Sequence, residues 1–452
     1  MKKSLRPSAL CGFICMLILV VLSGCRKDDF PEQGSEKMIT EVDYDAFRFS
    51  LYVDNTNSKG SDENPGTEEL PFQTIQHAAN IAGPGDVICV KNGSYRERVV
   101  VKKGGEAGKP VTFVGYPRHK SQVTNGFEIR ADHVELVGFD ITHDQAGWNG
   151  NGIWLAGNDV KILDNYIHDV PGGAGIQPQW GNGPGAWERV VIAYNHIYRC
   201  NAGMVVAGKD WLVEKNSIER LVRPAEGGRD ADYFRFFGED HIIRGNIMYG
   251  TREDEIGTSH TDLFQSYVVN QGEYARNILI EGNFGIDFYH QGLMMSQNSD
   301  ATEEMDGITI RGNIFVGAGS WNICVHGVTN LVVEYNTFAN YAIHGVGLRD
   351  SRTTIPFGST GRIRYNIFAN GKSSYFSEEL SHYDAGNNLL FNVREPSPSN
   401  PEMVDDPLFV NPDDPLGADG IPFTGDDGLM LKSNSPAIGM APGNRNLGAY
   451  QN

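Results

Sequence analysis

Two segments of the chain, RDADYFRFFG (229–238) and HTDLFQSYV (260–268), superimpose when the first is laid along the second. The superposition sets Asp232 against Asp262, Arg235 against Gln265 and Asp230 against His260. On neighbouring strands, about 4.8 Å apart, the two aspartates repel unless a proton, a cation or a basic neighbour separates their charges. That cost makes a chance stack unattractive. One protonated carboxyl beside one carboxylate is also what hydrolysis of a glycosidic bond needs. Asp232 and Asp262 are therefore the candidate acid/base pair, with Arg235 and His260 beside them. Gln265, His290 and Gln291 on this and the next segment, and Gln177 and Trp180 before it, are candidate substrate contacts. This chemistry requires no cofactor. The same residues suit a second one, in which Asp230, Asp232 and Asp262 hold Ca²⁺ through their oxygens. The metal would neutralise a substrate uronate while Arg235 or a histidine removes the proton alpha to it. Arg220, Arg223 and Arg229 stand ready for an acidic glycan. A third reading is a groove that binds glycans without changing them.

Residues so placed need a scaffold that repeats. From residue 160 one phrase returns, a short β-branched run followed by Asn, in VKILDNYI, VVIAYNHI, WLVEKNSI, HIIRGNIM, ILIEGNFG, ITIRGNIF, LVVEYNTF and GRIRYNIF. Its asparagines are Asn165, Asn195, Asn216, Asn246, Asn283, Asn313, Asn336 and Asn366. The shortest intervals, Asn195 to Asn216 and Asn313 to Asn336, are one coil of three short strands, and the longer ones add inserted loop. A second phrase, Gly followed by alternating apolar residues, lies between them in GIWLAG (152–157), GIQPQW (175–180), GMVVAG (203–208) and GLMMSQ (292–297). Two strand types in fixed order, without helical spacers, bury their faces only by coiling into a parallel β-solenoid. The asparagines read as amides stacked at one corner. The longest interval, Asn246 to Asn283, implies a longer loop near the candidate site, whose Glu253, Asp254 and Glu255 read as solvated. The fold class is all-β, a parallel β-helix with a short N-terminal capping helix predicted within PFQTIQHAANIA (71–82), because an uncapped solenoid exposes a strand edge.

The segment YVD…GSDENPGT…PFQTIQHAANIAGPGDVICVKNGSY resembles the N-terminal signature of right-handed β-helix proteins of the pectate-lyase-like superfamily. DDPLFVNP…LKSNSPAIGMA…NLGAYQ resembles their closing segment, so the resemblance covers about residues 50–452. It implies a right-handed helix whose outer face binds a polysaccharide, and an enzyme that is a glycoside hydrolase or a polysaccharide lyase. The aspartate pair looks like those of β-helix polygalacturonases, without their NTD, DD and GHG motifs. The lysine of the lysine-dependent β-helix lyases is absent from the two segments. Trp148, Trp180, Trp187 and Trp321 are candidate sugar platforms.

The chain opens with Lys2, Lys3 and Arg6 ahead of an apolar run, Cys11 to Leu22, too short for a membrane span. Leu22-Ser23-Gly24-Cys25 resembles the lipobox of bacterial lipoproteins, which implies a signal peptide over 1–24, lipidation of Cys25 and a tether over 25–48 ahead of the β-helix domain at 49–452. The expected location is outside the cytoplasm, anchored by lipid to the outer membrane. Of 452 residues, 38 are Lys or Arg and 57 are Asp or Glu, a net charge of −19 without a basic stripe. That balance argues against a nucleic-acid partner. Cys89, Cys200 and Cys324 sit in apolar contexts without metal spacing and read as small core residues. Asp413, Asp414, Asp419, Asp426 and Asp427, in a glycine-spaced loop, could hold a structural Ca²⁺ but read first as an acidic surface loop.

Overall fold

The computed structural model describes residues 42–451 except 144–149, 181–185, 224–229, 271, 301–304 and 397–400. The signal segment, Cys25, most of the tether, Trp148 and Arg229 lie outside the described residues. The β-branched runs of the first phrase form one sheet of thirteen strands, from Leu51–Val53 to His382–Gly386, each parallel to the strand one turn earlier. The second-phrase strands form the face that carries the candidate site, and shorter strands after the asparagines complete each coil. The chain is a right-handed parallel β-helix. Among the described residues no helix is long and apolar enough to cross a membrane.

Alternation along each run sends every second side chain inward, so one column of Val, Ile, Leu and Phe runs the length of the coil. Phe234 stacks on Phe264 with ring centroids 5.2 Å apart. The helix Ile75–Ile81 closes the N-terminal end, burying Ile75, Ala78 and Ala79. Its N-cap is Thr74, whose side chain accepts from the His77 amide, and Glu97 accepts from the amides of Ile75 and Gln76. The C-terminal segment packs along the flank of the coil, where Leu447, Ala449 and Tyr450 join a separate apolar cluster containing Phe284, Ile314 and Ile367.

The asparagine corner is a continuous ladder. The Asn246 Oδ1 accepts from both the backbone and side-chain nitrogens of Asn216, each at 3.0 Å. Asn246 in turn donates from its backbone and side-chain nitrogens to Asn283 at 2.9 Å. The pattern runs from Asn165 to Asn366 and one rung further than the repeated phrase indicates, to Asn388. There Glu402 ends the ladder by accepting from the Asn388 amide. The residue before each asparagine, from Asp164 to Asn387, is left-handed, with φ of 53–64°. Aspartate, tyrosine and lysine accept that conformation here, because the corner bonds fix it.

A second column runs along the outer face of the thirteen-stranded sheet. Glu214, Arg244, Glu281, Arg311, Glu334 and Arg364 occupy one register position on six successive turns. Signs alternate, and Arg244 donates to Glu214 and Arg311 to Glu281, both at 2.8 Å.

Cys89, Cys200 and Cys324 are free and buried, and burial pushes each thiol up to about 12. In the C-terminal acidic loop, Asp426 accepts from the amides of Ala418 and Asp419, and Asp427 from the Thr424 amide and the Tyr450 hydroxyl. Those carboxylates close turns.

Candidate functional site

The offset that superimposes Asp232 on Asp262 in the sequence is the register of the coil. Phe234 pairs with Phe264 and Arg235 with Gln265. The row containing Arg235 includes Glu128, Trp154, Gln177 and Val205 before it, and Gln265 and Met294 after it. Period two turns this row outward.

Asp232 and Asp262 stand at the corner just before these strands, one above the other, and neither exposes any surface. Each caps the turn above it. The Asp232 Oδ1 accepts from the Asp262 amide at 3.2 Å, and the Asp262 Oδ1 from the Gln291 amide at 2.9 Å. Each also grips a side chain of the outer face. Arg235 donates through Nε and Nη2 to the Asp232 Oδ2, at 2.8 and 2.7 Å. His290 meets Asp262 through Nδ1 at 2.8 Å, and Gln265 donates to the other Asp262 oxygen at 3.3 Å. The pairs thus repeat one motif on successive turns: a buried carboxylate holding a partly exposed nitrogenous group.

Burial, opposed by Arg235 and reinforced by Asp262 and Asp230, pushes the Asp232 carboxyl well above the carboxylate range, to about 7. For His290, burial lowers the imidazole, but the hydrogen bond and charge of Asp262 outweigh it and the net shift is upward. The same Asp262 oxygen accepts from the Gln291 amide, so Nδ1 is the donor to it and Nε2 is left as the basic nitrogen. The exposed His260 ring stacks on His290 with centroids 3.9 Å apart. The His260 amide donates to Asp230 at 3.4 Å.

Arg235 forms one wall of a cavity of about 330 Å³ with Asp230, Gln177, Trp180, Phe237 and Tyr267. Trp180 stands edge-on to Phe237, with centroids 4.7 Å apart. Gln291 is buried, and its Oε1 has no hydrogen-bond partner among the described residues. A buried orphan acceptor is the kind of atom that an ordered water satisfies.

Other sequence candidates lie elsewhere. Arg220 is bound through Nε and Nη2 to Glu255 at 2.8 and 2.7 Å, which engages one acidic residue expected to be solvated. Trp187 donates to the Gln179 carbonyl and packs on the core. Trp321 packs on His344 and Phe376. Among the described residues no three His, Cys, Asp or Glu side chains converge as a metal site. Asp232 faces a guanidinium and Asp262 an imidazole where the calcium reading needs a shared ion, so these residues do not fit one. Sequence reasoning missed Arg98, Glu128, Arg130, His143 and Trp154, which line a second cavity joined to the first. The signal was present, since Trp154 and Glu128 occupy the outward position of the strands one and two turns before Gln177.

Residues 52–209 match the model of the Pel9A-like, right-handed β-helix region. A curated relative, the uncharacterized protein YwoF of Bacillus subtilis (strain 168), is 30% identical over 137 residues, 26% of this chain and 29% of that protein. The match therefore spans under a third of the relative's length. Among solved structures, the complex of XylC with xylose superposes with a TM-score of 0.53 at 14% identity, covering 79% of this chain and 87% of that one. Pectate lyase Pel9A gives a TM-score of 0.48 at 14% identity, over 89% and 97% of the two chains.

Proposed function

We propose that this right-handed parallel β-helix, whose residues 52–209 match the Pel9A-like model, is a carbohydrate-active enzyme that cleaves a uronate-containing polysaccharide by β-elimination. The observation that carries this reading is the division of labour at the corner. Both carboxylates are fully buried and engaged, while the groups they hold are a guanidinium that lines the groove and, one turn on, a part-exposed imidazole. In this reading Arg235 takes the uronate carboxylate and withdraws charge from it. The His290 Nε2 removes the proton alpha to that carboxylate. Its electron pair forms the carbon–carbon double bond as the bond to the glycosidic oxygen breaks, and the departing oxygen takes a proton from solvent. Asp232 and Asp262 are positioning residues.

One observation favours a second reading. With its carboxyl raised to about 7, Asp232 keeps a proton to donate near neutrality, as the acid of a glycoside hydrolase must. In that reading Arg235 swings aside and Asp262 acts as base or nucleophile.

The two readings predict opposite pH limbs. If neutral His290 is the base, kcat/KM on an acidic polysaccharide rises with pH through a pKa above the ordinary imidazole value, and products absorb in the ultraviolet. If protonated Asp232 is the acid, kcat/KM falls as pH rises through about 7, and reducing ends appear without that absorbance. A descending limb with saturated products would overturn the elimination reading.

We also infer export and anchoring through Cys25, supported by the positive n-region, the apolar run and the LSGC sequence. Cys25→Ala should move the protein from the membrane fraction to the soluble one, since the acyl chains on that thiol are the anchor in this reading. Retention of the variant on membranes would refute lipidation at this residue.

A further inference from the structure

Three turns before Arg235, the outward row opens onto a larger cavity on this face, about 670 Å³. It shares Gln177 and Trp180 with the cavity at Arg235, so the two form one groove. At about 4.8 Å per turn, Trp154 lies roughly 14 Å along the groove from Arg235. That span holds an oligosaccharide rather than a single sugar.

The chemistry of this end is distinct. Glu128 is buried and is shared by two guanidiniums, Arg98 through Nε at 3.1 Å and Arg130 on its other oxygen. One carboxylate between two arginines leaves a local excess of positive charge on a chain whose net charge is −19. The Arg98 Nη1 also lies 3.3 Å from the His143 Nε2. Arg130, about half exposed, rests over the Trp154 ring at 5.3 Å from its centroid. Here the second arginine stands in the wall of a cavity bounded by two tryptophans, where its exposed edge can reach a ligand.

We infer that this cavity is a distal subsite for a negatively charged sugar unit, with Arg130 taking the carboxylate and Trp154 and Trp180 supplying apolar walls. The inference rests on the glycan reading above and deepens it. The chain engages an acidic polymer across at least three turns on the N-terminal side of Arg235, and so favours chains over short ends.

Calorimetric binding tests this on the full chain, using oligogalacturonates and alginate oligosaccharides against neutral xylo-oligosaccharides. Turnover of the same samples is followed separately by absorbance and reducing ends. Wild type should bind an acidic oligomer, and Arg130→Gln should weaken that binding by about tenfold or more with an unchanged melting temperature. Arg98→Gln, which removes the other guanidinium, should move it in the same direction. Undiminished affinity in both variants, or equal affinity for neutral oligomers, overturns the subsite. Turnover that persists alongside such a result leaves the proposed reaction standing. Charge-dependent binding without turnover does the reverse, and no binding by any oligomer overturns both.

Discussion

His290→Ala should lower kcat by about a hundredfold to ten-thousandfold, the range that a positioned general base contributes, with little change in KM or in unfolding temperature. The imidazole is part-exposed, bonded by Asp262 and, among the described residues, stacked only on the exposed His260 ring, so the fold depends on it little. Two consequences separate this from a structural effect. The ascending pH limb should vanish with the imidazole. Asp262→Asn should keep an acceptor for the Gln291 amide but remove the charge that raises His290. The limb of that variant should therefore shift to lower pH, because a histidine without its carboxylate loses its proton more readily. Steady-state rates of the two variants over a pH series decide the matter. A His290→Ala enzyme within a few-fold of wild type, with the limb intact, would remove the imidazole from the reaction.

The second large effect concerns the corner ladder. Asn246→Leu should cost about 4 kcal/mol in unfolding free energy, from buried groups stripped of partners at about 1–3 kcal/mol each. The groups are identifiable. The Asn216 amide loses its acceptor and the Val213 carbonyl loses its donor, while Asn283 loses one of the two donors to its oxygen. Leucine keeps the branched outline of asparagine without its polar atoms, and its greater bulk can only add to the loss. Urea unfolding should show the midpoint fall with an unchanged slope. The same change at Asn388 should cost less, because Glu402 and Tyr375 stand in a terminal rung with no further asparagine above it. A loss under about 1 kcal/mol at Asn246 would mean that water takes over these bonds.

The fold was legible because both its signals are periodic. Apolar alternation and an asparagine every rung require only counting, and the segment opening at Pro71 marks the capping helix. The last ladder member escaped because Asn388 follows AGN, without the β-branched run that announces the others. At the site, the stacking of Asp232 on Asp262 and of Arg235 on Gln265 could be read from the superposition of the two segments. The orientation of the aspartates could not. Period two says which way a strand residue points, whereas a corner residue turns according to the amide above it, and here each carboxylate turns to the next rung's N–H. The Arg98, Glu128 and Arg130 cluster was also hidden, since it joins residues of different strands that no repeated phrase connects.

The alternating column of Glu214, Arg244, Glu281, Arg311, Glu334 and Arg364 limits how this protein can change its length. Solenoids grow and shrink by copying or deleting whole coils, and each coil here carries one member of the column. Removing a single coil, or inserting one, brings two like charges onto adjacent strands at the closest spacing the sheet allows. Removing or adding two restores the order. Along this stretch the genetic unit of duplication is therefore a pair of coils, about twice the length that the asparagine repeat suggests.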